Sequence, residues 1–348
     1  MTIDIAGRKI GQGQPCFIIA ELSANHNGSL DTAIATIRAA KRTGADAIKI
    51  QTYTADTITL DLDTEDFQIK GTIWDGQTFH SLYKKAYTPF EWHPELFRVA
   101  REEGLICFSS PFDFTAVDLL ASLDAPAYKI ASLEITDIPL IRYAASQGKP
   151  MIMSTGIATE EDIDLALATC REAGNEAVAL LKCTTAYPAP VEEANLAMIP
   201  EFRRRYGVVP GLSDHTLGAA VPVAAAVLGA NVIEKHFILD KSLGGPDVSF
   251  SLDEAEFTEM VRTVRAAEAA IGVVDFTPTE KMKSSRALSR SLYITADVRK
   301  GDVLSPENVR SVRPGHGMHP KHYDEVLGKR FNGDFVKGTR LSWDCIEG

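Results

Sequence analysis

Eight apolar stretches of strand length, each followed by a segment of helical periodicity, constrain the fold of this chain more than any other feature. The predicted strands span 16–22, 46–51, 105–109, 127–131, 150–154, 177–183, 208–213 and 231–237. The predicted helices span 30–43, 91–103, 114–123, 138–147, 160–173, 195–205, 218–228 and 253–271. Eight such units in series predict an α/β chain folded as a (β/α)8, or TIM, barrel. A doubly wound open sheet is the alternative, and the absence of a Gly-x-Gly-x-x-Gly pattern after the first strand disfavours it.

The same pattern predicts the domain organisation. Residues 1–275 are expected to form the barrel domain, with an N-terminal hairpin over residues 1–14. Residues 276–289 are polar and predict a linker, and residues 290–348 alternate short β-prone runs with turns, which predicts a small, mostly β domain. A domain of about 60 residues is marginal on its own, so we expect a larger structure to support it. The long segment at 52–90 is interpreted as an excursion over one end of the barrel.

Charge and composition exclude several classes of protein. The formal net charge of −11 argues against nucleic acid or an anionic membrane as a partner, because both need a basic surface. No apolar run reaches about 18 residues, so no transmembrane helix is expected. The N-terminus lacks the pattern of a signal peptide. The five cysteines form no Cys-x-x-Cys pair and predict buried, reduced thiols in a cytoplasmic protein.

Polar side chains gather where the predicted strands end, which is the end of a barrel that carries catalytic residues. Lysine is costly to bury in a strand unless an anion meets it. Cationic and hydroxyl donors at these ends are Lys49, Lys129, Lys182, Ser110, Ser132, Ser154 and Ser213. Together they favour a phosphate or carboxylate ligand. The alternative is that each lysine pairs with a glutamate or aspartate inside the barrel.

Two histidines, His215 and His236, end the last two predicted strands and would converge if those strands are neighbours. Two imidazoles with carboxylates nearby are able to hold a divalent metal. The carboxylates closest in sequence are Asp214, Glu234 and Asp247. The alternative for the histidines is a hydrogen-bonding role in the core.

Two further carboxylates, Glu21 and Glu134, lie at strand ends that face the same mouth. Either is suited to general acid–base catalysis or to binding a substrate hydroxyl. The alternative for both is a salt bridge to the lysines of the barrel end.

Several motifs, in this order, resemble those of the nonulosonic (sialic) acid synthases. They are Ile18-Ile-Ala-Glu-Leu-Ser-Ala-Asn-His-Asn-Gly28, Lys129-Ile-Ala-Ser132, Ser154-Thr-Gly156, Gly211-Leu-Ser-Asp-His-Thr216 and Glu234-Lys-His-Phe237. The resemblance runs from about residue 15 to the C-terminus, and the small domain resembles the antifreeze-like, or SAF, domain of those enzymes. Trp74-Asp-Gly76 and the segment Ile130 to Asp137 are similar to the pseudaminic acid branch of the family.

The resemblance implies that phosphoenolpyruvate condenses with 2,4-diacetamido-2,4,6-trideoxy-altrose to give pseudaminic acid and phosphate. It implies Mn²⁺, Mg²⁺ or Co²⁺ as cofactor, with His215 and His236 at the metal-ligand positions. The implied phosphoenolpyruvate contacts are Lys49, Ser110, Lys129, Ser132, Ser154, Thr185 and Ser213. The implied catalytic residues are Glu21, Glu134 and Asp247, and the implied sugar contacts are Gln51, Tyr187 and Arg313.

The family resemblance also implies a domain-swapped homodimer, in which the small domain of one chain covers the barrel mouth of the other. An N-acetylneuraminate or legionaminic acid synthase, with the same chemistry and a different sugar, is an alternative function. A non-catalytic carbohydrate-binding protein is a remote alternative, because it leaves the lysines, serines and histidines of the barrel end unexplained.

Overall fold

Eight parallel strands close into a barrel in the computed structural model of this protein, which describes residues 1–348. After the N-terminal hairpin strands β1 (Thr2–Ile5) and β2 (Arg8–Gly11), the barrel strands follow in chain order. They are β3 (Phe17–Glu21), β4 (Ala47–Thr52), β5 (Ile106–Pro111), β6 (Tyr128–Ile130), β7 (Met151–Ser154), β8 (Val178–Cys183), β9 (Val209–Asp214) and β10 (Val232–His236). Strand β10 pairs with both β9 and β3, which closes the barrel and confirms the predicted fold class.

Eight helices alternate with these strands. They are α1 (Leu30–Arg42), α4 (His93–Glu102), α5 (Phe114–Ser122), α6 (Ile138–Ser146), α7 (Glu160–Glu172), α8 (Met198–Tyr206), α9 (Ala220–Val227) and α10 (Glu254–Ile271). Side-chain caps define where several begin, because the first turn of a helix has no backbone partners for its N–H groups. The side chains of Thr159 and Asp253 each accept a bond from the backbone N–H of the third residue of their helix, and their own backbone N–H donates to that residue's side chain, which forms a capping box.

Residues 52–90, which we call the excursion, contain helical segments of their own. These are α2 (Ala55–Ile58), a 3₁₀ turn (Glu65–Phe67) and α3 (Phe79–Ala86). Trp74 in the excursion donates from Nε1 to the carbonyl of Pro246 at 3.2 Å. The excursion therefore contacts the segment that follows β10, at the carboxyl end of the barrel.

The amino end of the barrel is closed by the β1–β2 hairpin. Asn231, which precedes β10, donates to the carbonyl of Gly11 at 2.9 Å. The apolar residues of the hairpin join the inward-facing residues of the strands in one core cluster. That cluster comprises Ile3, Ile5, Ile10, Phe17, Ile19, Ala47, Phe108, Ala127, Ile152, Ala179, Leu181, Val209 and Val232. A second, larger cluster fills the layer between the barrel and its helices.

The structure divides into two compact units, Met1–Gly272 and Val273–Gly348. The second unit contains α11 (Glu280–Arg286), the antiparallel pair β11 (Ser291–Ile294) and β12 (Val309–Val312), and the short helix α12 (Tyr323–Val326). Its own core is built mainly from Leu292, Ile294, Leu304, Val309, Val326, Phe331 and Leu341. None of the helices combines the length and the apolar composition that crossing a membrane would require.

All five cysteines are buried and free, which confirms the prediction of buried thiols. They are Cys16, Cys107, Cys170, Cys183 and Cys345. No disulfide therefore contributes to the stability of either unit.

Replacing Ile10 by alanine should destabilise the barrel unit by about 2–5 kcal/mol, because it removes a fully buried side chain from the closed barrel end. Urea unfolding followed by tryptophan fluorescence measures this loss. The matched control is Ile271→Ala, at the exposed end of α10, which should change stability by less than about 0.5 kcal/mol. Equal effects of the two substitutions would contradict the closing role of the hairpin.

Candidate active site at the carboxyl end of the barrel

Two lysines and two glutamates form a buried ion cluster where the barrel strands end. Lys49 Nζ lies 2.6 Å from Glu21 Oε2 and 3.6 Å from Glu234 Oε1. Lys129 Nζ lies 3.8 Å from the same oxygen of Glu234. Each of the four side chains is buried, and each comes from a different strand. Side chains alternate along a strand, so these four point inward above the apolar core.

The sequence left open whether the lysines meet an anionic ligand or an internal carboxylate, and the structure contains the internal pairs. Burial opposes the charge of Lys49, but the carboxylates of Glu21 and Glu234 raise its pKa above the ordinary value. Burial lowers the pKa of Lys129, although Glu234 opposes the shift. Lys129 is thus the ammonium with the weaker carboxylate partner and the greater need for an added anion. Lys182 is separate from this cluster and donates to Cys183 O and Thr184 Oγ1.

Hydroxyl groups from three successive strand ends form a cradle beside Lys129. Lys129 Nζ donates to Ser154 Oγ at 2.7 Å, and Gly156 N–H donates to Ser132 Oγ at 2.8 Å. Thr185 Oγ1 is buried and has no hydrogen-bond partner. A Cβ at Gly156 would stand 2.0 Å from Thr185 Oγ1 and 2.4 Å from Ser132 Oγ, so only glycine fits there. An unsatisfied hydroxyl beside a buried ammonium is suited to an anionic group such as phosphate.

On the opposite side of the cluster, Lys49 donates to Ser110 Oγ at 3.2 Å. Gln51 Nε2 donates to Glu21 Oε1 at 3.0 Å and to Ser23 Oγ at 3.1 Å. Ser213 Oγ lies 3.4 Å from Glu234 Oε1. These contacts tie the ends of β3, β4, β5, β9 and β10 to the ion cluster.

The two histidines at the ends of β9 and β10 lie side by side, with ring centroids 5.3 Å apart. His215 Nδ1 donates to the carbonyl of Thr184 at 2.9 Å, which leaves Nε2 with a free lone pair. His236 Nδ1 is buried without a hydrogen-bond partner, 3.8 Å from Asp247 Oδ2. A backbone carbonyl that fixes the tautomer of an imidazole is a common feature of metal-ligating histidines.

The donor set fits a divalent metal, although no three metal-ligating side chains surround one point. Burial and the neighbouring positive charge of Lys49 hold the pKa of His236 well below its usual range, so the His236 imidazole is neutral, as a ligand must be. Asp214, expected near the metal, instead points away from the barrel interior and pairs with Lys235. Of the carboxylates near the histidines in sequence, Asp247 lies beside them.

Aromatic side chains form a wall next to the histidines. The Tyr187 ring lies 4.5 Å from the His215 ring and 5.1 Å from Phe250, measured between centroids. Phe250 also contacts His236 at 4.8 Å. Trp74 extends the wall, with its ring 5.6 Å from Tyr187. This side of the site is therefore apolar, in contrast to the hydroxyl cradle.

Two carboxyl groups near this wall have raised pKa values. Burial raises the pKa of Glu134 to about 7, against the opposing charge of Lys129, and Oε2 of Glu134 is buried without a partner. Burial also raises the pKa of Asp247, which accepts a long bond of 3.5 Å from Ala24 N–H. Glu134 is therefore suited to exchanging a proton near neutral pH.

The structure brings most of the candidate residues of the sequence analysis to this one barrel end. Arg313 belongs to the second unit, where its exposed side chain follows β12. Sequence reasoning missed the bridging position of Glu234 and the proximity of Cys183 Sγ, which is 3.9 Å from His215 Nδ1. The alternation of side chains along β8 and β10 could have predicted both positions, because it places Cys183 and Glu234 on the inward-facing side of their strands. No sequence pattern indicated Phe250.

Comparison with known proteins gives a consistent result for both units. The NeuB family matches residues 36–275 and the SAF domain matches residues 289–347. The chain is 50% identical to the pseudaminic acid synthase of Campylobacter jejuni over 325 residues, which cover 93% of this chain and 95% of that protein. It is 45% identical to the pseudaminic acid synthase of Helicobacter pylori over 335 residues, covering 96% and 98%.

A solved structure matches the whole chain. The crystal structure of the spore coat polysaccharide biosynthesis protein SpsE from Bacillus subtilis is 36% identical in sequence and has a TM-score of 0.68. The match covers 100% of this chain and 99% of SpsE. The combination of a barrel with a small SAF domain is therefore shared along the full length.

Replacing Glu134 by glutamine should remove a pH dependence of stability. The folded pKa of this carboxyl is about 7, above its ordinary value of 4.5, so the carboxyl binds its proton more tightly in the folded state. Its contribution to stability therefore decreases as pH rises through this window. The difference in unfolding free energy, wild type minus variant, should fall by up to about 3 kcal/mol from pH 4.5 to pH 8. Urea unfolding across this range measures it, and a constant difference would contradict the raised pKa.

Proposed function

The chain belongs to the NeuB family, and we propose that it condenses phosphoenolpyruvate with 2,4-diacetamido-2,4,6-trideoxy-altrose to give pseudaminic acid and phosphate. The observation that carries the proposal is the presence, in one barrel end, of a hydroxyl cradle for an anion beside two paired imidazoles. The choice of sugar is supported by the identity of 45–50% to pseudaminic acid synthases over most of the chain.

Phosphoenolpyruvate has two anionic ends, and the site has two groups of donors. We assign the phosphate to Lys129 and the hydroxyls of Ser132, Ser154 and Thr185, because Thr185 Oγ1 lacks a partner. The carboxylate is assigned to Lys49 with Ser110 and Ser213. Lys49 keeps its ammonium charged through Glu21 and Glu234, so it remains a donor to the ligand.

The sugar aldehyde is assigned to the space between the histidines and the aromatic wall. A divalent cation such as Mn²⁺, Mg²⁺ or Co²⁺, held by His215 and His236, would polarise the aldehyde carbonyl as a Lewis acid. Tyr187 and Gln51 are assigned to the sugar, because one lines the wall and the other lies at the end of β4. Their role is to orient the carbonyl carbon toward carbon 3 of phosphoenolpyruvate.

The bond changes follow from these positions. Carbon 3 of phosphoenolpyruvate forms a bond to the aldehyde carbon, and positive character develops at carbon 2. Water adds at carbon 2, and the bond from carbon 2 to the phosphate oxygen then breaks. Glu21, Glu134 and Asp247 are the carboxyl groups available to take up and return protons in these steps. The donors around Lys129 receive the departing phosphate.

The second unit is assigned a role in binding the sugar. We propose a homodimer in which Arg313 of the second unit reaches the barrel mouth of the other chain. An exposed guanidinium beside Gly315 and Gly317 is suited to hydrogen bonding with sugar hydroxyl or amide oxygens. The barrel unit supplies the catalytic groups in this arrangement.

A panel of sugars tests the proposed reaction. Phosphate release from phosphoenolpyruvate should require the 2,4-diacetamido sugar and should be at least about tenfold slower, in kcat/KM, with the sugar precursors of N-acetylneuraminate or legionaminic acid. EDTA should abolish release and Mn²⁺ should restore it.

Each outcome of the panel distinguishes one alternative. Faster release with another precursor would replace the proposed sugar within the same chemistry. No release with any sugar would overturn the enzymatic function and favour a carbohydrate-binding protein. Release that persists in EDTA would remove the metal from the proposal.

Replacing His236 by alanine should abolish turnover and weaken Mn²⁺ binding at least about tenfold, because it removes one of two imidazole ligands. The electron paramagnetic resonance signal of free Mn²⁺ measures binding without turnover. The control His322→Ala removes an imidazole from the second unit and should leave Mn²⁺ affinity unchanged. Thermal melting checks that both variants fold, and wild-type Mn²⁺ affinity in His236→Ala would refute the assignment.

A further inference from the structure

Trp74 stands at the outer end of the aromatic wall. Its ring lies 5.6 Å from that of Tyr187, which in turn lies 4.5 Å from the His215 ring. Its Nε1 donates to the carbonyl of Pro246 at 3.2 Å, so the indole bridges the excursion and the segment after β10. One side of the indole thus faces the candidate active site.

Trp74 also borders a groove of about 490 Å³. The groove is lined by Ile73, Gln77, Leu82 and Lys85 of the excursion and by Pro246 and Ser249 after β10. Tyr187, His215 and Phe250 are not among its lining residues. The indole therefore borders both the aromatic wall of the candidate active site and an outer groove large enough for a small organic group.

We propose that Trp74 is a partition that sets the size of the substituent accepted at the far end of the sugar. The inference rests on the proposed function, since it concerns the sugar placed between the histidines and the wall. Nothing in the reaction itself requires this indole, so its role is specificity.

The dimensions identify which part of the sugar meets the partition. A chain of six carbons at ~1.5 Å per bond extends about 6 Å, and an acetamido group adds about 4 Å. The two centroid distances through Tyr187 place the indole no more than about 10 Å from the His215 ring. With carbon 1 at the histidines, Trp74 meets the acetamido group on carbon 4 or the methyl group at carbon 6. Both present methyl groups, which pack well on an aromatic face.

An apolar partition discriminates by size. A hydrophobic pocket discriminates by about 10- to 200-fold in kcat/KM between substrates that differ by one methylene group. A substituent too large for a rigid pocket carries a penalty of similar size. Removing the indole would join the sugar side to the outer groove and relieve this penalty. The rejected class is therefore a sugar with a longer acyl chain on the carbon 4 nitrogen.

The experiment compares two sugars, the 2,4-diacetamido parent and an analogue with a butanoyl group in place of the carbon 4 acetyl group. Wild-type enzyme should prefer the parent by at least about tenfold in kcat/KM. Trp74→Ala should reduce this preference to about threefold or less, with Mn²⁺ affinity unchanged. The control Ile73→Ala, which alters the groove but leaves the indole in place, should keep the wild-type preference.

If the alanine variant does not fold, Trp74→Leu tests the same point, because it keeps an apolar side chain on the excursion. This variant too should reduce the preference for the parent sugar over the butanoyl analogue. An unchanged preference in the folded variants would overturn the partition while leaving the proposed reaction intact. Equal use of both sugars by the wild-type enzyme would also overturn it. Absence of turnover of the parent by the wild-type enzyme would overturn the proposed function and this inference with it.

Discussion

The buried ion cluster of Lys49, Glu21, Glu234 and Lys129 is the constraint on which the rest of this structure depends. Each ion loses several kcal/mol of hydration on burial, and only close opposite charges and hydrogen bonds offset that loss. The four charges lie on four strands, so the cluster is satisfied only when the barrel is closed. Closure thus fixes the cluster, and the cluster in turn holds the hydroxyls of Ser110, Ser154 and Ser213, which contact it.

The two halves of the barrel have different roles, one in stability and the other in the chemistry of the candidate site. The amino half is apolar and closed by the hairpin, whereas the carboxyl half is lined by charges, hydroxyls and imidazoles. The close-packed apolar half excludes water from the amino end of the barrel. Above it, the hydroxyl cradle beside Lys129 and the aromatic wall beside His215 are two different environments, which the proposed reaction assigns to the anion and to the sugar.

Much of this site follows from the order and spacing of residues. The strand boundaries were predicted to within one residue, except that β5 ends two residues later than expected. The period of two along each strand indicated that Lys49, Lys129 and His236 share the barrel interior. The pairing of each charge was not predictable. Asp214 and Glu234 are alike in sequence, yet Asp214 turns outward to Lys235 while Glu234 lies between two lysines. Distances across a barrel depend on strand tilt and closure, which no local pattern contains.

The sequence by itself determined the (β/α)8 barrel, the small second domain and the set of polar residues at the strand ends, because these depend on local periodicity and on motifs close together in the chain. Only the tertiary structure decided which charges neutralise one another, which hydroxyl of the cradle lacks a partner, and that Trp74 lies against Tyr187 while lining the outer groove. The physical reason is that these relations join residues up to about 185 positions apart, as in the pair Lys49 and Glu234, and their distances exist only after the strands have closed into a barrel.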